Sequence, residues 1–402
     1  MSSIIFINRF FYPDHSATSQ LLSDVSFYLA EQNLDIKVIS SRQLYDETKT
    51  ETVLPANEII KSVSVNRIWT TRFGRNNLTG RAIDYASFYI SAFFVLIREV
   101  KAGDTVVAKT DPPMISLIAK LVCSLKSAKL INWNQDLFPE VGTELGIRVL
   151  EYAKAPLIYL RNLALKGACM NVVLGETMKD KLLSFGVKDS NICIIPNWSD
   201  GEEIYPVSKD DNSLIKQWGL ENKFIIGYSG NMGRAHEFET ILNIAEELQS
   251  EQGIIFVFIG GGAKKQWIEE EVKNRNLNNV VFKPYQPRDD LALSLTVPDI
   301  HMISLLPNLE GLIVPSKYYG IAAAGKTCLF IGAENGEIPR ILNKNNSGMS
   351  IKLGDVQSGI DYILEMKNNQ DICRQQGERA RETFLKEFDA KIAYGKWLKL
   401  LC

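Results

Sequence analysis

The chain has 402 residues, 46% hydrophobic and 23% charged, with a formal net charge of -2. At roughly 150 residues per domain this is enough for two or three globular domains, and it excludes a disordered or fibrous polymer. The near-neutral balance gives no whole-protein reason to expect nucleic acid as a partner. Six cysteines without a CxxC pair, beside only three histidines, argue against a structural zinc site.

In chain order, the pattern opens with IIFI, Ile4 to Ile7, a strand without the basic start and long apolar core of a secretory leader. A loop containing Asp14, His15 and Ser16 leads into a helix over Thr18 to Glu31, with Leu21, Leu22, Val25 and Leu29 on one side. The strand LDIKVIS follows. The longest apolar run, Tyr85 to Ile97, falls short of the about 20 residues that a spanning helix needs. It reads first as a buried helix, and second as a helix resting on a membrane face with Arg72, Arg75 and Arg81 nearby. DTVVAK, AKLINW, MNVVLG and NICIIP complete a first series of strands separated by helical stretches. Pro196 to Asn212 reads as an interdomain linker. A second series then begins with KFIIGYSG and continues through GIIFVFIGGG, NVVFKPY, DIHMISLL and TCLFIGA. Asp371 to Cys402 is helical by pattern. Most of the cysteines lie in apolar runs and are expected to be reduced core residues. The rhythm is that of an α/β protein with two Rossmann-like, doubly wound domains, and a cleft between two such domains is the default place for a ligand.

Several stretches carry chemistry. In GYSGNMGRAHEFETIL, a strand runs into a turn with Gly230, Asn231 and Gly233, followed by Arg234 and a helix. Such glycines let an anion approach the backbone, a helix N-terminus offers it free N–H groups, and an arginine can grip it with two hydrogen bonds. The spacing is not that of a dinucleotide fold, which disfavours NAD. Gly261 ends another strand in a glycine turn. Tyr285, in FKPYQPRDDL, belongs to a segment suited to a flat base. VPSKYYGIAAAGK reads as a helix entry at Pro315 with Ser316 as N-cap and a stop at Gly325. Lys317 puts a cation in the first turn, where the helix dipole is already positive, and Gly320 weakens the helix interior. An anion held by Lys317 together with the free N–H groups of that helix N-terminus accounts for the first feature. In the first series, Ser16 sits where doubly wound sheets place ligands. Asp136 follows a buried strand in NWNQDLFPE, where a carboxylate could orient or deprotonate a hydroxyl.

Together these stretches resemble the GT-B glycosyltransferases of family 4, and within it the WbuB-like bacterial enzymes of surface polysaccharide and O-antigen assembly. The likeness covers nearly the whole chain, through FFYPDHSATSQLL, NWNQDLFPE, VLGETMKDKLLSFGV, IIPNWSD, GYSGNMGRAHEFETIL, FIGGG and VPSKYYGIAAAGK. It implies an acceptor-binding domain over 1–198 and a donor-binding domain over 199–385, facing each other across a cleft. A C-terminal helix of about 386–402 would pack back on the first. It also implies transfer of a hexosyl or N-acetylhexosaminyl group with retention. The donor would be a nucleotide sugar, UDP by family frequency, and the acceptor a sugar or lipid-linked glycan. No metal or other cofactor is implied, since fixed cations hold the diphosphate. The enzyme would be cytoplasmic, with peripheral contact to the inner membrane as the second reading of its apolar helix. Asp136, Arg234 and Lys317 would form the catalytic set. Ser16, Gly230, Asn231, Gly233, Gly261 and Tyr285 would surround the donor, with Glu310, Pro315 and Ser316 beside Lys317. Where many relatives carry a lysine six residues past the arginine, this chain has Thr240. The place of the usual ribose-binding glutamate is held by Gly320, with Glu310 upstream. That departure keeps two alternatives open: a nucleotide-sugar epimerase of the same fold, and a catalytically weak nucleotide-sugar-binding protein.

Overall fold

The structure is a computed structural model that describes residues 2–44, 54–73 and 78–402; Arg75 lies outside the described residues. The chain divides into two compact units, Met1–Pro196 with Tyr394–Cys402, and Asn197–Ala393.

The first unit is built on an eight-stranded sheet in the order β3-β4-β2-β1-β5-β6-β7-β8. Its strands are β1 (Ile4–Ile7), β2 (Ile36–Ser41), β3 (Asn57–Ile60), β4 (Val63–Ile68), β5 (Thr105–Lys109), β6 (Lys129–Trp133), β7 (Met170–Val173) and β8 (Ile192–Ile194). All neighbours run parallel except the β3–β4 pair. That hairpin turns on Lys61 and Ser62 with φ of 45° and 66°. Two successive left-handed residues give the tight turn that matches strand twist, but Lys-Ser lacks the Asn-Gly or Asp-Gly signature that marks it in sequence. The chain leaves β1 in one direction for β2 and later returns to its other side with β5, so the sheet switches direction between β1 and β5.

The apolar run at Tyr85 to Ile97 lies inside the 22-residue helix Leu78–Glu99, which by length and composition is long and apolar enough to cross a membrane. Only 28% of its apolar window is buried, so it is not the buried helix that its composition suggested. Phe88, Ala92 and Leu96 enter the core, while Ile83, Ile90 and Phe94 face out.

The second unit carries an all-parallel sheet in the order β11-β10-β9-β12-β13-β14, with β9 (Phe224–Asn231), β10 (Ile254–Gly261), β11 (Val280–Lys283), β12 (Ile300–Ser304), β13 (Thr327–Ile331) and β14 (Gly348–Ile351). Its strands are almost continuously apolar, as strands covered on both faces must be, and Ile226, Phe256, Met302 and Leu329 are fully buried. The direction switch falls between β9 and β12, so the segments leaving those two strands flank the usual ligand position of an open α/β sheet.

Cys123, Cys328 and Cys373 are buried, Cys193 is half-buried, and Cys169 and Cys402 are exposed, so only half the cysteines are core residues. The closing helix Ala390–Leu401 sends Trp397 into the first unit's core. Its ring lies 4.6 Å from Trp133 and 6.3 Å from Phe6, centroid to centroid. Trp397→Ala is expected to cost about 3–5 kcal/mol in the denaturant transition of the first unit. A loss below about 1 kcal/mol would contradict that packing.

Candidate functional site

In the second unit, two stretches far apart in sequence meet at the switch point. The chain leaves β9 through Gly230, whose φ of +109° suits glycine. A Cβ there would stand 3.2 Å from Cε of Lys317. On the neighbouring strand Gly260, at φ +130°, has no room for a side chain, because a Cβ would meet the Gly230 carbonyl oxygen at 2.4 Å. The two glycine turns are further tied by Met232 N–H donating to the Gly261 carbonyl at 2.7 Å. Exposed Tyr285 covers this turn and donates its hydroxyl to the Gly261 carbonyl at 3.3 Å.

Lys317 is the first residue of the short helix Lys317–Ala323. Buried Tyr318 and Tyr319 anchor that helix, both with rings edge-on to Phe388. Arg381 holds its far end by donating to the Ala323 carbonyl at 2.5 Å. Pro315 is buried, whereas Ser316 is exposed and its side chain makes no capping hydrogen bond, contrary to the N-cap read from sequence. Gly325 does stop the helix, at φ +67°.

The Lys317 stem runs inward, and its ammonium lies 5.2 Å from the centroid of the Tyr228 ring and 3.0 Å from Nε2 of His236. The opposite ring nitrogen of His236, Nδ1, is 2.5 Å from the Ser304 carbonyl oxygen at the end of β12. A carbonyl only accepts, so Nδ1 carries the proton and Nε2 is left to accept from the lysine. Burial, then the Lys317 charge, pushes the imidazole down to about 3 against the pull of the Ser304 carbonyl, so it stays neutral in the working range. Desolvation likewise lowers the Lys317 ammonium to about 7. The result is a half-buried lysine, held by neutral acceptors and poised to take its proton when an anion arrives. His236 escaped the sequence reading, although only three histidines exist and it lies two residues past Arg234.

Arg234 is exposed in the same loop, and its guanidinium makes no ion pair or hydrogen bond among the described residues. The helix expected directly after it starts only at Glu239. Its first turn is already served by a carboxylate, Glu237 Oε1, which accepts from Thr240 N–H at 2.9 Å. One of the N–H groups of that helix N-terminus is therefore already taken by a carboxylate of the chain itself. Thr240 is buried and accepts from Gly354 N–H at 2.9 Å, so its side chain is engaged in the unit's own packing. Asn231 and Gly233 lie in the loop, with Gly233 packed beside the Asn231 amide. Glu310 turns away to the helix Glu337–Asn345 and accepts from Glu337 N–H at 2.9 Å. A Cβ on Gly320 would point at Leu295, 3.2 Å away. Ser199 Oγ at 3.8 Å and Ile204 Cδ1 at 4.0 Å complete that surround, so a side chain there would press on Leu295 first.

In the first unit, the segments leaving β1, β5 and β6 are stitched together. Arg9 N–H donates to the Asp111 carbonyl at 2.6 Å, and Gln135 N–H to Thr110 Oγ1 at 3.1 Å. Buried Lys109 donates to the Thr18 carbonyl at 2.8 Å, with its ammonium 3.6 Å from the centroid of the Trp133 ring. Asp136 stands exposed at the exit of β6. Water reaches it, but the surrounding protein desolvates it and, with the like charge of Asp111, pushes its carboxyl up to about 6, while Lys109 pulls the other way. A carboxyl in that range is suited to proton transfer. Asp14 Oδ1 accepts from Ser16 N–H at 2.8 Å, which presents Ser16 at the start of the helix Ala17–Glu31 with its hydroxyl unbonded among the described residues. His15 is exposed.

A titration of 13Cε-labelled lysines checks the setting of Lys317. One resonance, absent from Lys317→Met, is expected to titrate near pH 7; a Lys317 midpoint near the ordinary 10.4 would contradict it.

Residues 210–383 match the family Glycosyl transferases group 1. Over 94% of this chain and 96% of the relative, the sequence is 23% identical to WcaI of Escherichia coli strain K12, assigned as a colanic acid biosynthesis glycosyl transferase. Among solved structures, a sucrose-phosphate synthase from Thermosynechococcus elongatus superposes with a TM-score of 0.78 at 14% identity, covering 100% of this chain and 98% of that one. HepE of Anabaena, in complex with UDP, does so with a TM-score of 0.74 at 13% identity over 99% of each. At such identities the structural likeness shows the fold, two Rossmann-like sheets of the GT-B type.

Proposed function

Because the chain carries a glycosyl transferases group 1 domain and is a glycosyltransferase, we propose that Lys317, seated against the Gly230 turn, receives the diphosphate of a nucleotide-sugar donor, with UDP as the nucleotide. The contact between these two motifs, 87 residues apart from Gly230 to Lys317, carries the reading: a cation and a side-chain-free turn meet at the switch point of the second unit. HepE, solved with UDP, and WcaI, assigned to colanic acid biosynthesis, support the donor and the setting. The sugar passes with retention to a glycan or lipid-linked acceptor of bacterial surface polysaccharide.

In this reading Lys317 and Arg234 neutralise charge on the departing diphosphate, so no metal is needed for that step. His236, neutral and fixed by Ser304, keeps the lysine aimed without adding charge. Tyr285 offers a face for the base. Asp136 or a donor phosphate oxygen takes the acceptor's proton. The enzyme works on the cytoplasmic side, with the first unit at the inner membrane.

Incubation with UDP- and GDP-sugars and glycan or lipid-linked acceptors is expected to release nucleoside diphosphate. Lys317→Ala should lower kcat/KM by well over tenfold, since a charge-assisted hydrogen bond is worth about 1.5–3 kcal/mol. An unchanged rate removes Lys317 from the site, and isomerised donor without transfer would identify an epimerase. The pH dependence has a definite sign. The bound anion favours charged Lys317, which is lowered to about 7 in the free protein. UDP affinity should therefore fall as pH rises above about 7, by up to tenfold per unit, with uptake of a proton. If Asp136 is the base, Asp136→Asn should cost about 10²–10⁴-fold in kcat and erase an acidic limb near pH 6; a smaller loss assigns the proton to the donor phosphate.

A further inference from the structure

The first unit has an apolar face that its own core leaves uncovered. The helix Leu78–Glu99 buries Phe88, Ala92 and Leu96 against the sheet and holds Asp84 against Arg9 at 3.5 Å. In a domain that meets only water, the opposite stripe of such a helix is polar. Here it carries Ile83, Ile90 and Phe94 at helical spacing, with Ile90 61% and Phe94 66% exposed. The next helix against it, Ile115–Lys126, exposes Leu121 and Leu125, one turn apart. Packed on that one, Arg148–Lys166 exposes Tyr152 and Tyr159.

These helices share one side of the sheet. They connect β4 to β5, β5 to β6 and β6 to β7, all advancing the same way along the strand order, and right-handed crossovers in one direction place their helices on one face. Their outward stripes therefore form a single surface. Its charge is also unlike the rest of the chain. The three helices hold eight basic residues against three acidic ones, in a chain whose net charge is -2. One of those acids, Asp84, and one of those bases, Arg161, are buried, the latter paired with Glu140, which leaves seven basic residues against two acidic ones.

We propose that this three-helix layer docks on an anionic lipid bilayer. Apolar and tyrosine side chains enter the boundary between headgroups and acyl chains, and the surrounding arginines and lysines lie over acidic headgroups. The combination selects this occupant. A protein partner explains the apolar stripe but has no need of a basic surplus distributed over three helices, whereas an acidic membrane surface uses both. The helix Leu78–Glu99 lies on the bilayer rather than across it, because Phe88, Ala92, Leu96 and Asp84 are committed to the unit's own core. The inference specifies the membrane-contacting surface of the functional reading above, but its test needs neither donor nor acceptor.

The full chain is floated with vesicles of phosphatidylethanolamine and phosphatidylglycerol at 3:1, and with vesicles of pure phosphatidylcholine. Binding is expected to the anionic vesicles, several-fold weaker to the neutral ones, and reduced by 0.5 M salt. The double variant Ile90→Glu, Phe94→Glu should lower partitioning at least tenfold with an unchanged circular dichroism spectrum. Arg148→Glu, Lys166→Glu, which leaves every apolar residue in place, should lower it similarly and serves as the check should the first variant fold poorly. Lys317→Met should bind vesicles like the parent, which keeps this result separate from any failure of the transferase reading. Absence of binding to the anionic vesicles overturns the proposal. So does equal binding by both double variants, or a dimer that Ile90→Glu, Phe94→Glu dissociates while vesicle binding persists.

Discussion

A lysine ammonium half-buried beside a side-chain-free turn is the constraint around which the second unit is arranged. Desolvating a cation without a counter-charge is unfavourable, and the fold tolerates it by over-determining the position. Tyr318 and Tyr319 against Phe388 fix the start of the lysine's helix, Arg381 fixes its end, and His236 pinned to Ser304 receives the ammonium. On the other side Gly260 brings the Gly230 carbonyl close enough that a single methyl group would not fit. A cation preorganised in this way does not have to be moved into place when an anion binds beside it.

The same economy explains two departures from the pattern that the chain resembles. Thr240 is consumed by a buried hydrogen bond to Gly354, and Gly320 faces Leu295. A charged side chain at the buried Thr240 position would be desolvated, and one at Gly320 would press on Leu295. Lys317, carried on a different element, directs a cation at the Gly230 turn.

Much of this was legible in the sequence. Eleven strands announce themselves as short apolar runs bounded by turn residues, because parallel strands are buried on both faces. The exceptions have physical causes. The β3–β4 hairpin turns on Lys61 and Ser62, residues that carry no turn signature, and β14 is a four-residue edge strand beginning with glycine. Gly230, Arg234 and Lys317 were singled out by local oddity, yet their pairing is long-range and no spacing encodes it. His236 was missed because its role is made by Ser304 and Lys317, both distant in sequence. The helix after Arg234 was placed too early: the intervening residues are held by Ser304 and Leu306 rather than by helical hydrogen bonds. Asp136 was legible from its place after a strand, but the desolvation that raises its proton affinity, and the smaller opposed charges of Asp111 and Lys109, were not. Composition misjudged the helix Leu78–Glu99, since an apolar run shows that a helix avoids water without showing what covers it.

Calorimetric titration with UDP and with uridine, on the parent and on Lys317→Met, tests the central claim most directly. If the lysine and the glycine turn form a diphosphate seat, UDP binds the parent more than tenfold tighter than uridine, and that margin collapses in the variant while uridine affinity stays constant. Equal affinity of the parent for both ligands, or a margin that survives the loss of Lys317, would contradict it.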